Sequence, residues 1–134
     1  MKFIDVKVSD EELRVLLEIG FLLREMSRFT EAAEIFRGVT NLIPDSDVPF
    51  VGLGTVEFQQ RNFAAAHEAY QRALEIKPSS LYARVHQAEA WLFEGERERA
   101  EEELHEIIAA DSESPHSRTA RALLDAADII SPLQ

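Results

Sequence analysis

Apolar and small residues recur along this chain at a fixed interval. Ala32, Ala66 and Ala100 stand 34 positions apart, and so do Phe36, Tyr70 and Leu104. Gly20, Gly54 and Ala88 keep the same interval, as do Ile19, Leu53 and Gln87. Phe29 and Phe63 match as well, with Arg97 breaking that column, and Pro44 and Pro78 repeat the spacing. Several independent columns in one register mark an internal repeat. Within each unit the pattern predicts two helices. The first carries a large residue and then a small one, so that a neighbouring helix can approach closely. The second carries an alanine and a bulky side chain four residues later, a spacing that places both on one face. Pro44 and Pro78 stand just past the second helix, where a missing N–H helps to end it.

The spacing and residue types resemble the tetratricopeptide repeat, whose pattern is a helix–turn–helix of 34 residues. On that resemblance the repeats are placed at 13–46, 47–80 and 81–114, within a single domain spanning 1–134. The expected fold is all-α: an α-solenoid of three hairpins closed by a C-terminal capping helix. The ends fit this reading. Ser9 and Glu12 form an S-x-x-E capping box, which predicts a first helix starting near Asp10 and leaves a short arm over 1–8. Ser114 followed by Pro115 reads as an N-cap with proline at the first helical position. Ala120, Leu123, Leu124 and Ala127 then space an apolar stripe at helical period, placing the capping helix at about 115–130. Such a helix covers the open face of the last repeat, in which Ser112 replaces the expected proline.

Composition narrows the function. The chain of 134 residues is 46% hydrophobic and 29% charged, too apolar for a disordered segment. It has no cysteine, which removes disulfides and thiolate chemistry. A net charge of −11 opposes nucleic-acid phosphates and anionic membrane surfaces alike. Asp5 interrupts the first residues, and no apolar run approaches a membrane span, so a cytoplasmic protein is expected.

No catalytic chemistry is legible. His67, His86, His105 and His116 lack metal-ligand spacing, and the repeat register sets them on different helices and faces. The acidic stretch Glu94–Glu106 is interleaved with Arg97 and Arg99. A continuous helix cannot wrap an ion as a calcium loop does, so this stretch reads as a solvated face. Gly52 and Gly54 make a lone G-x-G inside a helix with no strand before it, which does not support a phosphate loop. No enzyme, metal or cofactor is expected.

The expected activity is protein binding. Stacked hairpins curve, and the first helix of each lines the concave side. Helical periodicity then predicts a groove of Leu17, Phe21 and Arg24 in the first repeat, and Val48, Val51, Thr55 and Phe58 in the second. The third contributes Tyr82, Val85, Glu89 and Leu92. A register off by one would put some of these in the core instead. The best-known tetratricopeptide co-chaperones hold a C-terminal carboxylate with Lys, Arg and Asn at such places, which are mostly apolar here, so a carboxylate clamp is not expected. An apolar lining within an acidic surround suits an extended or helical segment with hydrophobic anchors, and the rim charge would steer basic partners. Val51→Glu and Tyr82→Glu are both expected to weaken partner binding without lowering the melting temperature.

Two stretches go beyond generic repeat sequence: Pro49-Phe50-Val51-Gly52-Leu53-Gly54, and the run His86 to Glu96 with Ala100-Glu101 and Leu104 after it. Over about residues 13–110 the chain resembles the small tetratricopeptide chaperones of bacterial type III secretion systems. The resemblance implies an acidic cytoplasmic chaperone, often dimeric, that holds a hydrophobic secretion substrate until export. Translocator subunits are the usual clients, and needle components are the alternative. Val51, Phe58, Tyr82, Val85 and Leu92 fall where that family's groove lies. Family members carry a longer helical region before the first repeat, so a homodimer by the family's route stays open; Phe3, Ile4, Val6 and Val8 could form an arm or pair with something extended. A general repeat adaptor joining two cytoplasmic proteins is the competing expectation.

Overall fold

The structure is a computed structural model, and it describes residues 7–132. The proposed arm residues Phe3, Ile4 and Val6 lie outside that span. Among the described residues there are seven helices: α1 (Asp10–Glu25), α2 (Phe29–Leu42), α3 (Val48–Gln59), α4 (Phe63–Ile76), α5 (Leu81–Phe93), α6 (Arg97–Ala110) and α7 (Pro115–Ile130). The chain is an all-α solenoid of three hairpins with a capping helix. The capping box is formed at the start of α1, where the Glu12 N–H donates to Ser9 Oγ at 3.1 Å and the Ser9 N–H to Glu12 Oε1 at 3.3 Å. Ser114 caps α7 by accepting from the His116 N–H at 3.1 Å, with Pro115 just inside.

Each helix packs on the next in sequence. In addition α1 touches α3, α3 touches α5 and α5 touches α7, whereas α2, α4 and α6 make no contact with one another. Odd helices crowd together and even helices splay apart, so the array bends with α1, α3, α5 and α7 on its inner side.

The repeated columns carry the packing. A Cβ added to Gly20 would stand 2.9 Å from Phe36 Cε1, and one on Gly52 2.5 Å from it; Gly54 faces the Tyr70 ring in the same way. The glycines therefore let the helix backbone lie directly on an aromatic face. In the third hairpin the corresponding pair is Ala88 and Leu104, both fully buried in one cluster, and the smaller leucine leaves room for a methyl group. From α7, Ala120, Leu123 and Ala127 join that cluster and seal it. The Ser117 hydroxyl donates to the carbonyls of Asp111 and Ile107 at 2.5 and 3.3 Å, satisfying the end of α6.

The turns inside the hairpins repeat as closely as the core. Ser27, Arg61 and Gly95 all take left-handed φ values, 59°, 64° and 85°. Beyond each, the next residue's N–H bonds back across the helix end: Arg28 to Leu23, Asn62 to Glu57 and Glu96 to Trp91, at 2.8–2.9 Å. This is the Schellman ending of a helix, which glycine normally serves.

Candidate functional site

The inner side is built by four helices that run in the same direction, so their N-terminal ends meet at one rim and their C-terminal ends at the other. Val48 of α3, Tyr82 of α5 and His116 of α7 gather near the first rim, beside a cleft also lined by Asp47, Lys77 and Ser80. Ser80 donates to Asp47 at 2.6 Å and caps α5, tying the two helix starts together. At the other rim Phe58 meets Phe93 edge-on, ring centres 5.1 Å apart, and also packs against Phe63.

Of the groove residues expected from sequence, Leu17, Phe21, Val48, Phe58, Tyr82 and Glu89 are partly exposed. Val51, Thr55, Val85 and Leu92 are 0–3% exposed and offer no surface to a partner in this conformation. The reason is the position of α3 and α5. Helix α3 touches α1, α2, α4 and α5, and α5 touches α3, α4, α6 and α7. A helix enclosed on most sides buries apolar residues all round, so periodicity alone does not separate its groove face from its core face.

The middle of the inner side is polar and aromatic. Arg24 lies over the Phe21 ring, 5.1 Å from its centre, and donates from Nη1 to Thr55 Oγ1 at 2.7 Å. Thr55 in turn donates to the Gly52 carbonyl at 2.8 Å. Glu89 stands 3.2 Å from His86 Nδ1. The His86 ring meets Tyr82 edge-on at 5.2 Å and stacks loosely on Tyr70 at 6.5 Å, while Tyr82 stacks on His116 at 5.3 Å. His86 and His116 thus share one face around Tyr82, a correction to the sequence expectation that the histidines fall on different faces. His116 comes from the capping helix, whose angle against α5 no repeat register defines. Tyr70 was legible as a core ring, but nothing in its column says that His86 stacks on it.

Burial raises the Tyr70 hydroxyl pKa above its ordinary range, with the charge of Glu89 adding and that of Arg24 opposing. Burial raises that of Tyr82 too, opposed by Arg24 and assisted by Asp47. Both phenols are therefore neutral donors. Burial lowers the His116 pKa, with His86 and Lys77 adding to the effect and Asp47 opposing it. Three buried side-chain atoms among the described residues lack a hydrogen-bond partner: Arg24 Nε, Tyr70 Oη and His67 Nδ1. Outside the groove, His67 lies over Trp91 and is 2.6 Å from Glu94 through Nε2. The acidic stretch is partly neutralised, with Glu103 and Glu106 meeting Arg84 and Glu101 meeting Arg97. No cluster of metal-ligating side chains is found among the described residues, and none of their helices is long and apolar enough to cross a membrane.

The model of a family described as tetratricopeptide repeat matches residues 57–124, half of the chain. The chain belongs to the tetratricopeptide-repeat family. Solved structures similar to this repeat protein include type III secretion chaperones and other tetratricopeptide domains. One is the type III secretion chaperone SycD of Yersinia enterocolitica in complex with a peptide of the translocator YopD. It is 20% identical with a TM-score of 0.72, over 92% of this chain and 98% of that one. PcrH from Pseudomonas aeruginosa is 22% identical with a TM-score of 0.74, over 90% of this chain and 95% of that one. Among the other domains is the first tetratricopeptide domain of Spaghetti (RPAP3) bound to the HSP90 peptide SRMEEVD. It is 18% identical with a TM-score of 0.73, over 89% of this chain and 98% of that one. At these identities the likeness is one of fold.

Proposed function

We propose that this repeat protein is a non-catalytic, cytoplasmic bacterial chaperone. It holds a hydrophobic segment of a type III secretion substrate, a translocator or needle component, along its inner face. The observation that carries this reading is the row of partly exposed apolar and aromatic side chains, Leu17, Phe21, Val48, Phe58 and Tyr82, on the concave side of an acidic array. An extended segment with spaced hydrophobic anchors suits such a row. SycD, whose fold is similar, has been solved with a translocator peptide, and PcrH with the chaperone-binding region of PopD. The general adaptor is the second reading, favoured by the likeness to a domain that binds an HSP90 peptide. The two readings differ in the state of the partner. A chaperone's client is insoluble when expressed alone and soluble when co-expressed, whereas an adaptor's partner is stable by itself.

The test is a pull-down from the native cytoplasm with wild type and Tyr82→Glu as baits, followed by mass spectrometry. A hydrophobic secreted protein held by the wild type and lost from the variant is the expected result. Soluble cytoplasmic partners, or identical captures by the two baits, would overturn the chaperone reading.

A homodimer through α1 is part of the proposal. Val15, Ile19, Leu22 and Met26 are 40–59% exposed and follow one another at three- and four-residue steps, forming an uncovered apolar stripe. Sedimentation should find a dimer for the wild type and a monomer for Leu22→Glu; a monomeric wild type would rule this interface out.

A further inference from the structure

The outer side of the array is open in one gap and closed in the next. Helices α2 and α4 do not touch, and between them the outward face of α3 is the floor of a cleft of about 240 Å³. Phe50, Leu53 and Glu57 follow one another on α3 at steps of three and four residues, and Ala65, Ala69 and Arg72 do so on α4, so each set is one helix face. Arg72 lies over the Phe50 ring, 5.2 Å from its centre. Glu57 stands two turns further along α3, about 10 Å away. Arg37 of α2 and Glu68 of α4 complete the two walls. Neither side chain has an ion pair or a hydrogen bond among the described residues. Arg72 approaches only Glu75, at 4.0 Å, and Glu57 only the Asn62 amide, at 3.1 Å.

One repeat later the same place, between α4 and α6, is filled. Trp91 stands where the first gap has Glu57, and Arg99 where it has Ala65, with the Arg99 guanidinium 4.0 Å over the Trp91 ring. Phe50, Ala69 and Arg72 give way to Arg84, Glu103 and Glu106, and Arg84 pairs with both carboxylates, with Glu106 at 3.2 Å. The opening between α2 and α4 therefore follows from particular residues and not from the curvature of the array. It is smaller than the roughly 300–1,000 Å³ of a cofactor pocket and admits one large side chain.

We propose that this cleft docks a helix of a second protein, which inserts one large apolar side chain flanked by an acidic and a basic residue. The apolar side chain covers Phe50 and Leu53, the acidic residue meets Arg37 and Arg72, and the basic residue meets Glu57 and Glu68. A ridge of one helix fits the groove between two others. Over the two turns that separate Phe50 from Glu57, acid and base stand about seven residues apart with the anchor between them. The site faces away from the inner groove, so a helix docked here leaves the groove free for its segment.

A phage-displayed library of helical peptides with one randomised face, panned against the full chain, tests this. Glu57→Trp/Ala65→Arg grafts the closed arrangement of Trp91 and Arg99 onto the open cleft and is used to deplete peptides that bind elsewhere. Peptides that survive should share one large apolar residue between an acidic and a basic residue about seven positions apart. A fluorescently labelled survivor should bind the grafted variant and Arg37→Glu at least about tenfold more weakly than wild type. Arg37 is exposed, so Arg37→Glu should melt as wild type does and keeps the test valid should the double substitution disturb folding. Tyr82→Glu should bind the survivor as wild type does, which separates this site from the inner groove. No survivors, or survivors held equally by Arg37→Glu, overturn the proposal, and survivors without the acid–base pair overturn the partner chemistry. A wild-type dimer that the grafted variant converts to a monomer in sedimentation would make the cleft an interface between copies and overturn docking of a second protein.

Discussion

Ser27 and Arg61 hold left-handed backbone at the positions where the third hairpin has Gly95. For a residue with a side chain that conformation costs roughly 1–2 kcal/mol, because Cβ crowds the following carbonyl. Glycine removes the clash but loses more backbone freedom on folding. Ser27→Gly and Arg61→Gly should each stabilise the protein by about 0.5–1 kcal/mol, read from urea denaturation, since relief of the clash outweighs the added entropy. Gly95→Ala should move stability the other way. A loss of stability in Ser27→Gly would mean that the turn is not the strained element it looks. The glycines at helix–ring contacts obey a different constraint. Gly20 and Gly52 are helical, and what they supply is room for the Phe36 ring.

At the scale of an element, α7 is where the array stops repeating. Arg97 stands where the earlier units have Phe29 and Phe63, and its guanidinium reaches Asp128 at 2.6 Å and the Ser131 carbonyl at 3.1 Å. The broken column is thus a clasp on the capping helix. His116 adds a pH dependence to the same helix. Its folded-state pKa is lowered, mainly by burial, so the unfolded chain binds a proton more readily. The stabilisation is complete above the unfolded-state pKa and is lost as pH falls through the depressed folded-state value. Acidification from about pH 7.5 to about pH 5 should therefore lower the melting temperature of the wild type more than that of His116→Gln. Equal losses in the two proteins would show that His116 does not carry this dependence.

For the whole molecule, the decisive fact is which helices contact each other across repeats. Odd helices touch and even helices do not, which makes the inner side and also closes parts of it. Two substitutions expected from the sequence to act alike should therefore differ. Tyr82→Glu places a charge on a partly exposed side chain and should leave the melting temperature nearly unchanged while weakening segment binding. Val51→Glu puts a carboxylate at a site with no exposure and should destabilise the fold by several kcal/mol. Circular dichroism melts of the two variants check this, and a Val51→Glu protein as stable as wild type would mean that α3 opens more easily than its packing implies.

The repeat interval, the small–large columns, the capping box at Ser9 and the Ser114–Pro115 start of α7 were legible from the sequence because each is a short-range requirement. Helical period, cap chemistry and the room needed beside a ring act on residues near one another or in one register. Tertiary structure alone decided which inner residues stay accessible, because Val51, Thr55, Val85 and Leu92 are covered by neighbouring helices and not by anything in their own periodicity. It also brought His116 onto Tyr82, stacked the His86 ring on Tyr70, and turned Arg97 toward α7. Those outcomes depend on how far one hairpin rotates against the next. That rotation is set by the summed packing of many side chains across the helix contacts, and no spacing along the chain encodes it.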